Sequence, residues 1–368
     1  MNVSLLPLVL IVVRIEAASI AGAHDPSVYF LHGPETWADP CFRFAQPASQ
    51  RTLDGEELLK IGDLHEVQNH LQEALPYYQR ALSAFRIKKN RRGEVMALVR
   101  IGTLRERQGQ YPEAASALRE AVSISLARGD DALRARALIS LGRVSVALGR
   151  PAEARENYGE AAALFQRLRD RQGHTEALIR LGGLTLAEER PEDAMSLLQT
   201  ALTDAADRDD RGQQFHAVVL IGEVHWRQGE ADAARTMYER ALQLAEAQRD
   251  LRAEADTRIR LARLHSVAGQ PADGIPMAQR ALALYQSLRD RSREADTLSL
   301  LGSLYQDHGN ATLAAEQHVR ALSLYRALRD PMREAASLIN LAVAYEAQGA
   351  RQESQETLKK AIFLLQPR

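Results

Sequence analysis

From about residue 52 onward, apolar and polar positions alternate with a helical period, and the pattern recurs every 40 residues without slipping. In the second copy, Glu94 to Gln108 sets Val95, Ala97, Leu98, Val99, Ile101 and Leu104 at helical spacing. Gly109-Gln110 ends that helix, because glycine tolerates the left-handed cap conformation. Pro112 opens a second helix, since a proline in the first turn forfeits no intrahelical hydrogen bond. That helix runs to about Leu126 with Ala114, Leu118, Ala121 and Val122 facing inward, and Gly129-Asp130 separates it from the next copy. Aspartate recurs at this junction as Asp130, Asp170, Asp210, Asp250, Asp290 and Asp330. Its carboxylate accepts the free N–H groups of the following helix and favours the positive end of the helix dipole. Each copy is thus predicted to be a helical hairpin.

The register holds for eight copies. An apolar-Gly or apolar-Ala pair stands at Ile61-Gly62, Ile101-Gly102, Leu141-Gly142, Leu181-Gly182, Ile221-Gly222, Leu261-Ala262, Leu301-Gly302 and Leu341-Ala342. An alanine recurs at Ala81, Ala121, Ala161, Ala201, Ala241, Ala281, Ala321 and Ala361, and a turn glycine at Gly109, Gly149, Gly229, Gly269, Gly309 and Gly349. Units that pack only on their neighbours build a solenoid, so the fold class is all-α and the array grows in one dimension. The glycine of each pair lies inside the first helix, at a cost of roughly 1 kcal/mol against alanine. A packing demand repeated at fixed spacing explains it: the second helix crosses there, with the recurrent alanine expected as the reciprocal close contact. Pro76 and Pro276 lie deeper in their second helices, which predicts a late helix start or a kink in both units.

Composition refines this picture. A length of 368 residues usually implies several globular domains, but the repeat overrides that expectation. Hydrophobic content of 45% with 26% charged residues fits a folded soluble chain, and the net charge of −1 supplies no global field toward nucleic acid or anionic membrane. Electrostatic recognition must therefore be local. One cysteine, Cys41, rules out an intramolecular disulfide.

Residues 1–51 lie outside the repeat. Leu5 to Val13 is an apolar run too short to span a bilayer as a helix, and Ala21-Gly22-Ala23 has the form of a signal-peptide cleavage site. Against export, Met1 to Ser4 carry no Lys or Arg, while Arg14 and Glu16 follow the run. Residues 1–23 thus read as a signal peptide or a leader, leaving cytoplasmic and exported locations both open. Residues 24–51, with Pro26, Pro34, Pro40 and Pro47, read as an irregular segment.

Together these features resemble the tetratricopeptide repeat family. The pattern that carries the resemblance is Leu301-Gly302, Tyr305, Ala314, His318 and Ala321, and in the first unit Ile61-Gly62, His65, Ala74, Tyr78 and Ala81. The resemblance covers about residues 52–368. A unit of 40 rather than about 34 residues, without the terminal proline, is similar to the subgroup of kinesin light chains and spindle-orientation adaptors. The resemblance implies a right-handed superhelix of eight helix-turn-helix repeats. Its first helices would line a concave groove holding a peptide or partner helix.

A stripe stepped along each first helix approximates that groove. It contains Met96, Arg100, Thr103 and Arg107 in unit two, Arg136, Ser140, Arg143 and Ala147 in unit three, and Glu176, Arg180, Gly183 and Ala187 in unit four. Unit six contributes Asp256, Arg260, Arg263 and Val267; units seven and eight contribute Asp296, Asp307 and Asn340 with no basic residue. The candidate contacts are therefore Arg100, Arg107, Arg136, Arg143, Arg180, Arg260, Arg263 and Asn340. They suggest a groove graded from basic to acidic whose arginines grip an acidic segment by paired hydrogen bonds. The competing expectation is that these arginines pair with glutamates of adjacent helices and contribute little.

Other functions find less support. His65, His225 and His265 share one repeat position and read as packing residues, too far apart for one metal ion. No metalloprotease, phosphate-loop or nucleophile-elbow motif occurs, so neither an enzyme nor a cofactor is expected. The stripe lacks the interleaved aromatics that stack nucleobases, so nucleic acid is not an expected partner. The expected function is a protein-interaction scaffold or adaptor. The alternative is a peptide- or ligand-sensing array that controls a separate effector. Ile362, Phe363, Leu364 and Leu365 leave an apolar C-terminal helix suited to dimerise or to stack on a partner.

Overall fold

The computed structural model describes residues 53–366. The leader, the proline-containing segment and Cys41 lie outside the described residues. The described residues form sixteen α-helices and no strand. Unit one pairs α1 (Gly55–Val67) with α2 (Leu71–Ile87), unit two α3 (Arg91–Arg107) with α4 (Tyr111–Arg128), and unit three α5 (Asp131–Ala147) with α6 (Pro151–Arg167). Units four to six follow as α7 (Arg171–Ala187) with α8 (Pro191–Asp207), α9 (Arg211–Arg227) with α10 (Ala231–Gln248), and α11 (Leu251–Val267) with α12 (Pro271–Ser287). Units seven and eight are α13 (Arg291–Asp307) with α14 (Ala311–Leu328) and α15 (Pro331–Ala347) with α16 (Arg351–Leu365). Each second helix packs between the first helix of its own unit and that of the next, which is the predicted solenoid.

Local chemistry sets the helix ends. Asp54, Asn90 and the six recurrent aspartates each cap a first helix, accepting the N–H three residues on at 2.8–3.2 Å. At the turn inside each hairpin, one residue takes the left-handed conformation and the chain closes with paired backbone bonds; Gly109 N–H meets Glu106 O at 3.0 Å and Gln110 N–H meets Arg105 O at 2.9 Å. Six of these turn residues are the predicted glycines; Asn69 (φ 62°) and Glu189 (φ 59°) fill the other two places. A side chain in this region costs about 1 kcal/mol. Glu189→Gly is therefore expected to raise the unfolding free energy by about 0.5–1 kcal/mol. A urea midpoint that stays put or falls would contradict the strain.

The helix-internal glycines make a different contact from the one expected. A Cβ on Gly62, Gly142 or Gly222 would lie 2.3–2.7 Å from the ring of Tyr78, Tyr158 or Tyr238. One on Gly102 or Gly182 would strike Leu118 or Leu198, and one on Gly302 would strike His318. The glycine thus seats a large side chain three residues before the recurrent alanine, rather than the alanine itself. The alanines serve the interface between units: Ala121, with no exposure, packs with Val95, Leu98 and the next unit's Ala137. Where the first helix carries Ala262, the residue opposite is Ala278. Where it carries Ala342, the counterpart Leu358 is 39% exposed.

Neither Pro76 nor Pro276 delays its helix. Both helices begin where the other second helices begin, at Leu71 and Pro271. Their first turns are held by packing: Ala74 is fully buried, and a Cβ on Gly274 would lie 3.0 Å from the Ala262 carbonyl oxygen. Pro276 is accompanied by a stretched bond upstream, Gly274 N–H to Gln270 O at 3.4 Å.

Candidate peptide-binding groove

Successive first helices touch along much of the array, α1 with α3, α3 with α5, α7 with α9, α11 with α13 and α13 with α15, whereas successive second helices make no comparable contact. The first helices therefore line the inner face. Four cavities among the described residues open on that face. One of about 500 Å³ lies between units one and two and includes Lys60, Met96 and Arg100. One of about 780 Å³, the largest of these four, spans units three to five, and two of about 250 and 400 Å³ share Arg263 in units six to eight.

The predicted arginines fall into two groups. Four are stapled to a carboxylate of the preceding unit: Arg100 to Asp63 at 2.8 Å, Arg107 to Glu66 at 2.7 Å, Arg143 to Glu106 at 2.6 Å and Arg260 to Glu223 at 3.1 Å. These pairs are part-exposed and link neighbouring first helices. Arg180 reaches only Glu176, at 3.7 Å. Arg136 and Arg263 are exposed with no hydrogen-bonding or ionic partner among the described residues, and Asn340 is part-buried. Arg143 and Arg180 share the largest cavity, Arg100 lines the first, and Arg260 and Arg263 line the third; Arg107, Arg136 and Asn340 line none of these four.

The basic-to-acidic gradient is corrected by two arginines that the stripe omitted. Arg293 and Arg333 extend from the first turns of α13 and α15 onto the same face and pair with Asp256 and with Asp296, the latter at 3.1 Å. Units seven and eight are thereby locally neutral rather than acidic. The spacing of 37 residues between carboxylate and arginine, shared with Asp63–Arg100, Glu106–Arg143 and Glu223–Arg260, was the available signal.

The largest cavity is walled by Val146, Ile179, Leu184, Val219 and Leu220, with polar groups from Gln172, Gln213 and His216. Its width follows from Gly183 and Ala187, which present no bulk where other units carry Arg143, Arg107 or Arg227. The His216 ring keeps solvent contact, yet desolvation by the walls, and then the Arg180 charge, hold its pKa below the ordinary histidine value. Tyr158 lies at the floor, contributed by the second helix α6 and invisible to a stripe drawn on first helices alone. His65, His225 and His265 sit at the helix ends. His65 stacks on Tyr77 at 5.1 Å between centroids, His225 meets Glu230 at 2.5 Å, and His265 meets Gln270 at 3.3 Å.

The sequence matches the family described as tetratricopeptide repeat over residues 56–127, 133–206 and 215–287, more than half of the chain. The chain belongs to the tetratricopeptide repeat family. This is a family of repeat scaffolds rather than of catalysts. No curated protein matches the chain. Among solved structures, the array is similar to a signal-transduction ATPase with a tetratricopeptide repeat sensor from Pyrococcus horikoshii, at 16% identity and a TM-score of 0.67, covering 84% of this chain and 47% of that one. It is similar to the apo quorum sensor NprR of B. thuringiensis, at 14% identity and a TM-score of 0.64, covering 86% and 90%. The Rap conjugation gene regulator of plasmid pLS20, in complex with the Phr* peptide, aligns at 14% identity and a TM-score of 0.55, covering 85% and 96%. At these identities the likeness concerns the fold.

Proposed function

We propose that this tetratricopeptide array is an adaptor that holds a peptide or helix of a partner protein along the face of its first helices. Its main seat is the cavity of units three to five. The observation that carries the reading is the cavity itself: about 780 Å³ on the inner face, where aliphatic residues alternate with the charged Arg143, Glu176, Arg180 and Asp210, beside Gly183. Selection of a random peptide library on the immobilised full chain should enrich a family of related sequences. Gly183→Phe, which fills the cavity, should weaken the selected peptides tenfold or more at unchanged thermal midpoint. No enrichment, or equal binding to Gly183→Phe, would overturn the reading.

The sensor alternative draws support from similarity to the quorum sensor NprR and to the Rap regulator bound to its peptide, both matched over nine-tenths of their length or more. A peptide that controls an effector through the array's pitch would change the radius of gyration on binding. A scaffold would capture its partner at unchanged radius. Small-angle scattering with and without a selected peptide separates the two.

A further inference from the structure

Three units repeat one constellation on the inner face, and one of the three is incomplete. In unit one the Tyr78 hydroxyl donates to Asp63 at 2.8 Å, with Glu66 a second acceptor at 2.9 Å, and Arg100 of the next unit holds the same Asp63. In unit five the Tyr238 hydroxyl donates to Glu223 at 3.2 Å, and Arg260 of the next unit holds that carboxylate. Tyrosine follows the carboxylate by 15 residues and arginine follows it by 37 in both. In unit three the same spacing gives Tyr158 and Arg180, but the carboxylate position is occupied by Arg143. The second acceptor position, Glu66 in unit one, is Val146.

Tyr158 consequently has no hydrogen-bond partner among the described residues, although the residue is only 3% exposed. Its ring is clamped over Gly142, so the side chain cannot swing elsewhere for an acceptor. It lines the largest cavity, and among charged groups Arg180 and then Arg143 act on it most strongly, ahead of Glu106 and Glu176. Arg180, lacking the carboxylate that Arg100 and Arg260 grip, is left with Glu176 at 3.7 Å. A hydroxyl donor that shares a cavity with the loosely paired Arg180 and with Arg143, itself held by Glu106 at 2.6 Å, suits recognition of one carboxylate.

Resting on the peptide-binding reading above, we propose that the cavity of units three to five takes a peptide carboxylate, which completes the Tyr158–Arg180 constellation in place of the missing acidic residue. Ile179, Leu184 and Val219 receive an aliphatic side chain beside it. The carboxylate comes from an acidic side chain or from a peptide C-terminus, and both present the same acceptor atoms.

The test uses the full chain and random octapeptide libraries, one with free and one with amidated C-termini. Selected peptides should carry Asp or Glu next to an aliphatic residue in both libraries if a side chain binds. They should be enriched from the free-ended library only, if the terminus binds. Replacing the acid by its amide should weaken binding at least tenfold for the wild type and less than threefold for Tyr158→Phe. Arg143→Glu installs the acidic residue found in units one and five; it gives up the pair with Glu106, should still fold with a modestly lowered thermal midpoint, and should abolish the acid preference. Peptides enriched without an acid, or an acid preference unchanged in both folded variants, would overturn the carboxylate site while leaving groove binding intact. A library that yields no binder would overturn both.

Discussion

Gly102→Ala is expected to destabilise the array by about 2–3 kcal/mol, although alanine is the better helix former. The added Cβ would lie 2.5 Å from Cγ of Leu118, a side chain with no exposure and no room to retreat. Leu118→Ala alone should cost about 3 kcal/mol through lost burial and a residual cavity. The double variant should cost about 2 kcal/mol less than the sum, because the new methyl group fills part of the space the leucine leaves. Nature has made the equivalent exchange in unit six, where Ala262 faces Ala278. A double-mutant cycle by urea unfolding measures the coupling. Additive costs would mean that the glycine does not serve as the seat of the leucine.

His318 should make the array acid-labile. It occupies the seat over Gly302, is 2% exposed, and leaves Nδ1 without a partner. Burial, with no charged neighbour acting on it, pushes its pKa down to about 4. The sign follows from linkage: the unfolded chain binds this proton from about pH 6.5 downward, whereas the folded chain refuses it until about pH 4. Its neutral form therefore supports full stability above pH 6.5, and up to about 3 kcal/mol is lost as the pH falls to 4. Leucine stands at the same seat in units two and four, so His318→Leu should fold and should be more stable than the wild type by a margin that grows between pH 6.5 and 4.5. A margin that stays constant across that range would refute the assignment.

Much of this architecture could be read from the 40-residue register. The aspartate caps, the turn glycines and the helix boundaries follow from backbone geometry that each unit repeats, so spacing alone places them. The errors arose where one residue meets another across helices. The seat of Gly102 was assigned to Ala121 because both recur, but recurrence does not say which side chain points at the glycine. The arginine stripe predicted a charge gradient because it counted only one face of each helix. Arg293 and Arg333 enter that face from the first helical turn and neutralise it. Tyr158 escaped notice because it reaches the groove from a second helix. Its significance lies in a missing partner, which shows only when the constellations of units one, three and five are laid side by side. The exposed Ile362, Phe363 and Leu365 agree with an apolar surface on α16, whereas Leu364 turns inward against the core of unit eight.

The central claim is that partners bind along the first helices of units three to five. A library-selected peptide carrying a photoreactive group, cross-linked to the full chain and mapped by mass spectrometry, tests it most directly. The account predicts adducts on α5, α7 and α9, at cavity residues such as Val146, Ile179 and Val219. Adducts confined to the second helices, or to the apolar surface of α16, would contradict it.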